Sequence, residues 1–308
     1  QQQLHQILLQ QQLKLKYQER KSRHHLLQEL VALLNSFCYF CQIYRENILI
    51  KMNNILIPTD FSENSIYALE YASFILKAKG GKLIVLHITK DKERVKDQLD
   101  KIRALPFFKE VDVEVITRAG KSITKTINKV GIEFGVELIV MGSNGVSNVG
   151  ELIMGSTTEN VIRNSQFNVL TIKHKMLSLD IDSILFPSDF SPESYTVFET
   201  VKAFADTFNA KIHLLRVVTS EKDKKTEKIN NKMNLFIDHF KLEEEKIEIA
   251  IYKDKTRELG VLNYSIDNDI DMIAIGSHGK GIVKKLVKES ISQDLVKNTF
   301  KPILTVRF

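Results

Sequence analysis

Tryptophan is absent from the 308 residues, and cysteine occurs only at Cys38 and Cys41. A secreted disulfide scaffold needs several paired cysteines, so that class is excluded and a cytoplasmic setting is expected. Cys38-Tyr-Phe-Cys41 is a lone C-x-x-C with no second pair and no βαβ pattern around it. It reads as two incidental cysteines rather than a zinc or redox site. No G-x-x-x-x-G-K-[S/T], H-E-x-x-H or G-x-S-x-G occurs, which removes the P-loop, zinc-protease and α/β-hydrolase chemistries. No basic stripe is interleaved with aromatics, so nucleic-acid binding is not expected.

The net charge of +6 is concentrated near one end, where residues 1–51 hold +4 of it. The rest is nearly balanced, unlike the electrostatic footprint of a dedicated nucleic-acid binder. Residues 1–51 run from a glutamine-rich stretch through basic Arg20–His25 to apolar Leu30–Tyr44. Asn35, Ser36 and Gln42 interrupt the apolar run, which is too short to span a bilayer and has no A-x-A-like cleavage site after it. The expectation is a poorly ordered extension, with no membrane role.

From Met52 onward, short apolar runs alternate with helical periodicity. Strands are expected at Asn54–Pro58, Lys82–Ile88, Val111–Thr117, Glu137–Met141 and Asn168–Lys173. Between them come a helix capped at Ser62-Glu63 and stopped by Gly80-Gly81, then helices over Lys92–Leu105, Ser122–Phe134 and Gly150–Asn164. Strand–helix alternation with nearly continuous apolar strands implies an α/β fold, a parallel sheet covered on both faces.

The chain then repeats itself. Ile55-Leu-Ile-Pro-Thr-Asp-Phe-Ser62 returns as Ile184-Leu-Phe-Pro-Ser-Asp-Phe-Ser191. Leu138-Ile-Val-Met-Gly-Ser-Asn-Gly145 returns as Met272-Ile-Ala-Ile-Gly-Ser-His-Gly279, and Val169-Leu-Thr-Ile172 as Ile303-Leu-Thr-Val306. Matched blocks in one order identify a tandem duplication, with copies over 52–174 and 180–308. The short linker Lys173–Asp180 keeps the copies close.

Candidate chemistry gathers in the first copy. Gly142-x-x-Gly145 follows a strand, and Gly155-Ser156-Thr157 comes after nine further residues. Glycines let the backbone approach an anion, and free amides at a helix start point toward it. Asp60 lies just past the first strand, where ligand crevices of doubly wound sheets open. A purely structural reading also stands: the glycines permit a tight turn, and Asp60 caps the following helix.

Pro58-Thr59-Asp60-Phe-Ser62 together with G-x2-G-x9-G-[S/T] resembles the ATP-binding branch of the universal stress proteins, over Met52–Phe308 in two copies. The resemblance implies two tandem, five-stranded, Rossmann-like parallel sheets of order 3-2-1-4-5. It places Pro58, Thr59, Asp60 and the backbone of Ile88 around adenine and ribose. Met141 and Gly142 would flank the sugar, and Gly145, Gly155, Ser156 and Thr157 would hold the phosphates of ATP, with Mg as a possible companion. Asn144 stands where the family usually has His. The second copy keeps Asp189 and Gly276-Ser-His-Gly279 but has Glu289 in place of the third glycine. It therefore reads as degenerate, giving one nucleotide per chain.

The expected role is that of a nucleotide-responsive stress or regulatory module. A slow ATP hydrolase or phosphotransfer enzyme, and a ligand-independent dimerisation scaffold, are the alternatives. No second acid or base accompanies Asp60, so no catalytic residue is assigned, and no metal site is expected. The last strand of each copy would be an apolar edge if left unpaired. The two copies are therefore expected to pair as an internal pseudo-dimer, antiparallel, with Thr171 and Thr305 facing each other. A homodimer of whole chains is the further partner considered.

Overall fold

Ile55, Leu56 and Ile57 have no exposed surface, which requires cover on both faces of the strand they form. The computed structural model describes residues 53–143, 156–176, 178–219, 226–276 and 301–307. The 1–51 segment therefore lies outside the described residues.

The first copy runs β1 (Asn54–Pro58), α1 (Glu63–Lys79), β2 (Lys82–Ile88), α2 (Lys96–Arg103), β3 (Asp112–Arg118), α3 (Ile123–Glu133), β4 (Leu138–Gly142), α4 (Ser156–Asn164) and β5 (Asn168–Ile172). The second runs β6 (Ser183–Pro187), α5 (Pro192–Phe208), β7 (Lys211–Val218), α6 (Thr226–Phe240), β8 (Ile247–Lys253), α7 (Arg257–Asp267), β9 (Met272–Gly276) and β10 (Ile303–Val306).

Local chemistry accounts for the boundaries. Ser62 caps α1 by accepting from the Ser65 N–H, and Lys77 and Lys79 sit favourably in its last turn. Gly80 ends it at φ 80°. The second copy has no glycine there and ends α5 on Asn209 in the left-handed region, at φ 53° and ψ 34°. Ser122 and Thr256 cap α3 and α7 at matching positions. The helical stretch expected over Lys92–Leu105 is a 3₁₀ turn followed by α2, which stops at Ala104 ahead of Pro106.

The strands form one sheet of ten, ordered β3-β2-β1-β4-β5-β10-β9-β6-β7-β8. The first copy has the expected order 3-2-1-4-5, and the second presents the same order reversed. Within each copy neighbours are parallel, while β5 and β10 join antiparallel. The register pairs Leu170 with Leu304, Thr171 with Ile303 and Val169 with Thr305. Thr171 and Thr305 are thus diagonal neighbours rather than facing ones, because the local two-fold axis passes between the leucines.

Two apolar layers sandwich the sheet, and each runs through both copies. One gathers Ile55, Ile57, Leu170 and Leu304 under α1, α2, α5 and α6. The other gathers Leu56, Val169 and Ile303 under α3, α4 and α7. Phe74 of α1 stacks on Phe208 of α5 with ring centres 5.9 Å apart, joining the copies above the sheet as well.

An acidic clasp holds the first strand of each copy beside the fourth. Asp271 accepts hydrogen bonds from the Asp182 and Ser183 amides, both at 3.0 Å, and from the Ser183 hydroxyl at 2.9 Å. Glu137 does the same for the Asn53 and Asn54 amides. Strand order therefore reverses at β1/β4 and β6/β9, the places where a doubly wound sheet opens a crevice.

Candidate functional site

The turn after β1 shapes the first crevice. The Thr59 N–H donates to the Leu86 carbonyl at 2.8 Å, fixing the end of β1 against β2. Thr59 Oγ1 accepts from the Phe61 N–H at 3.1 Å and shares a hydrogen bond of 2.9 Å with Ser65 Oγ. Asp60 Oδ1 accepts from both the N–H and the hydroxyl of Ser62, at 3.0 and 2.6 Å. Phe61 is forced to φ 65°, a left-handed conformation that costs a side-chain-bearing residue on the order of 1 kcal/mol. The second copy repeats the device: Phe190 has φ 53°, Ser188 Oγ accepts from the Phe190 amide and Asp189 Oδ1 from the Ser191 amide.

These bonds leave Asp60 exposed, with Oδ2 unpartnered among the described residues. His87, on β2, donates from Nδ1 to the Thr59 carbonyl at 2.8 Å, which requires the proton on that nitrogen. Its ring lies 4.3 Å from that of Phe61.

Gly142 closes the crevice from the β4 side. A Cβ there would run into the Asn64 carbonyl and the Ser65 amide at the start of α1. The glycine is thus required by the close approach of β4 to a helix N-terminus. The Thr158 hydroxyl donates to the Gly142 carbonyl at 3.2 Å, tying the first turn of α4 to the same strand end.

Pro58, Asp60, Ile88 and Gly142 accordingly meet at the carboxyl ends of three adjacent strands, β2, β1 and β4. Thr157 lies in the first turn of α4, which Thr158 ties to the end of β4. Thr59 and Met141 turn inward: the Thr59 side chain is buried against Ser65, and Met141 packs in the apolar layer of α3 and α4. Gly145, Gly155 and the side chain of Ser156 lie outside the described residues. Among the described residues, no cluster of three His, Cys, Asp or Glu could hold a metal ion. No described helix is long and apolar enough to cross a membrane.

The corresponding crevice of the second copy holds a cavity of about 440 Å³. Its apolar lining includes Val197, Leu215, Val261 and Ile275, and Arg216 and Arg257 reach it from β7 and α7. Asp189 lines it too. Burial pushes this carboxyl up, but hydrogen bonds from Ser191 and the charges of Arg216 and Lys232 outweigh burial and hold its pKa below the usual value.

The sequence model of the universal stress protein family matches residues 51–100, 89–173 and 181–307. The chain belongs to the universal stress protein family. Among its relatives, a universal stress protein of Synechocystis is 21% identical over 301 residues, covering 83% of this chain and all of the relative. One from Methanocaldococcus jannaschii is 28% identical over 158 residues, covering 41% of this chain and 98% of its own. The crystal structure of a universal stress protein from Archaeoglobus fulgidus superposes with a TM-score of 0.62 at 25% identity, covering 83% of this chain and 98% of that one. A tandem universal stress protein therefore stands here, with one crevice per copy. The arginines of the second crevice escaped the motif reading. The signal was present in the repeat, where Arg216 replaces His87 and Arg257 replaces Ile123.

Proposed function

We propose that this universal stress protein binds ATP, with Mg as companion, in the first crevice, and that occupancy regulates a stress response. The convergence of Asp60, Ile88 and Gly142 on the β1/β4 reversal carries the proposal, because that is where a doubly wound sheet receives a ligand. The open Oδ2 of Asp60 suits ribose hydroxyls, which donate to a carboxylate. Pro58 and the main chain of Ile88 would border the base, with Thr59 and Met141 supporting them from beneath. By the family resemblance Gly145, Gly155, Ser156 and Thr157 would lie toward the phosphates, where glycine amides and hydroxyl donors suit an anion.

Oδ1 of Asp60 is committed to Ser62, which favours a binding module over a hydrolase, since no second acid or base is assigned to the crevice. The β5–β10 junction supports a reading of the chain as an internal pseudo-dimer in which each copy supplies the other's missing neighbour. Mass spectrometry of small molecules released from the denatured protein tests the proposal, together with calorimetric titration of ATP. One ATP per chain is expected, lost in Gly155→Glu, the substitution that copies Glu289 into the first copy. Parental ATP affinity in that variant refutes the phosphate assignment.

A further inference from the structure

Two features separate the second crevice from the first. In the first, His87 folds back on the Thr59 carbonyl, with its ring against that of Phe61. In the second, Phe190 is only 4% exposed and packs edge-on against Phe236 of α6, ring centres 5.2 Å apart. The ring is thereby drawn into the core, and Arg216 lines the cavity at the position of His87. Arg257, the first residue of α7, lines the same cavity where the first copy has Ile123.

We propose that the second crevice binds a small organic anion with an apolar body and one carboxylate or phosphate-monoester head, the head held by Arg216 and Arg257. The cavity of about 440 Å³ is of the size that encloses small ligands. Val197, Leu215, Val261 and Ile275 give the body an apolar bed. A guanidinium is a planar fork matched to carboxylate and phosphate oxygens, and two in one cavity can grip one head from two sides. The N-termini of α5 and α7 add partial positive charge near the same place. Asp189 and Glu193 also line the cavity and balance the two arginines. This balance disfavours a polyphosphate, whose several charges would meet the carboxylates, and favours a single compact head.

The test uses the full chain and two probes, phenyl phosphate and benzoate, each a ring with one of the two heads. Calorimetric titration should show one of them binding, and which one identifies the head. Arg216→Gln and Arg257→Gln should each weaken that binding by about tenfold, the loss of a charge-assisted hydrogen bond. Arg257 is exposed, so its replacement leaves the fold intact by circular dichroism. Saturating ATP should not displace the probe. The proposal is overturned if both probes bind more weakly than about 5 mM, a free energy near that of nonspecific contact. Parental affinity in the Arg257→Gln variant, or displacement of the probe by ATP, overturns it equally.

Discussion

Leu170 and Leu304 stand opposite each other at the centre of the antiparallel junction of β5 and β10, and neither has any exposed surface. The pair belongs to an apolar layer that runs under the helices of both copies. Leu304→Ala should therefore destabilise the protein by about 3 kcal/mol, the cost of an unfilled core cavity. Urea unfolding followed separately by probes in each copy should give coincident transitions for parent and variant, because neither copy owns its core. Two separate transitions in the parent would show that the copies are energetically independent.

Asp271 accepts three hydrogen bonds at the start of β6, two of them from main-chain amides. Asp271→Ala removes the acceptor and should cost about 1–2 kcal/mol, less than a buried charge-assisted network because the site is partly open to water. Asp271→Asn should recover part of the loss. Chemical denaturation of the three proteins side by side measures it.

Gly142→Ala should destabilise the fold by about 1–3 kcal/mol, since the added carbon meets main-chain atoms of α1 that cannot turn aside. The same shift pushes the start of α1 away from β4 and should weaken ligand binding in the first crevice. A variant with parental melting temperature would contradict the tight approach of strand to helix.

Acid should loosen the protein well above the carboxylate range. His213 is buried with Nδ1 3.1 Å from the Tyr264 hydroxyl. Burial lowers its pKa below 6.5, an effect that Glu248 partly opposes and Lys211 reinforces. His174 is lowered as well, first by burial, against its own backbone hydrogen bond, and with help from Lys173 and Lys301. In both cases the unfolded chain binds the proton more readily than the folded one. Stability is thus full above the unfolded value of 6.5 and falls as the pH drops through it toward the folded values. His213→Gln should flatten the dependence of unfolding free energy on pH below about 6.5. An unchanged slope would remove His213 as a contributor.

The tandem α/β arrangement was readable in the sequence because the repeated Pro-x-Asp-Phe-Ser and Gly-Ser-x-Gly blocks recur in matching order. The order of the strands across the sheet came only from the resemblance to the universal stress proteins. Gly142 was visible as a special position, but its cause was not: the residues it must avoid, Asn64 and Ser65, lie far away in sequence. Phe61 could not be recognised as left-handed, since nothing in a phenylalanine favours that conformation; the hydrogen bonds to Thr59 and Asp60 flanking it impose it. Arg216 and Arg257 are forty-one residues apart, and each alone looks like an ordinary surface cation. Only the sheet brings β7 and the start of α7 to one cavity. The diagonal placement of Thr171 and Thr305 likewise depends on register, which alternating apolar residues on both faces leave undetermined.

The antiparallel junction has a consequence for how this chain has been able to change. Two identical subunits joined through such a strand pair are related by symmetry, so any substitution alters both crevices together. Joined end to end in one polypeptide, the halves keep the junction but lose that obligation. His87 and Arg216, Ile123 and Arg257, and Gly155 and Glu289 are matched positions that now differ. Covalent fusion lets the two crevices differ from each other, and the shared sheet holds both in a single folded body.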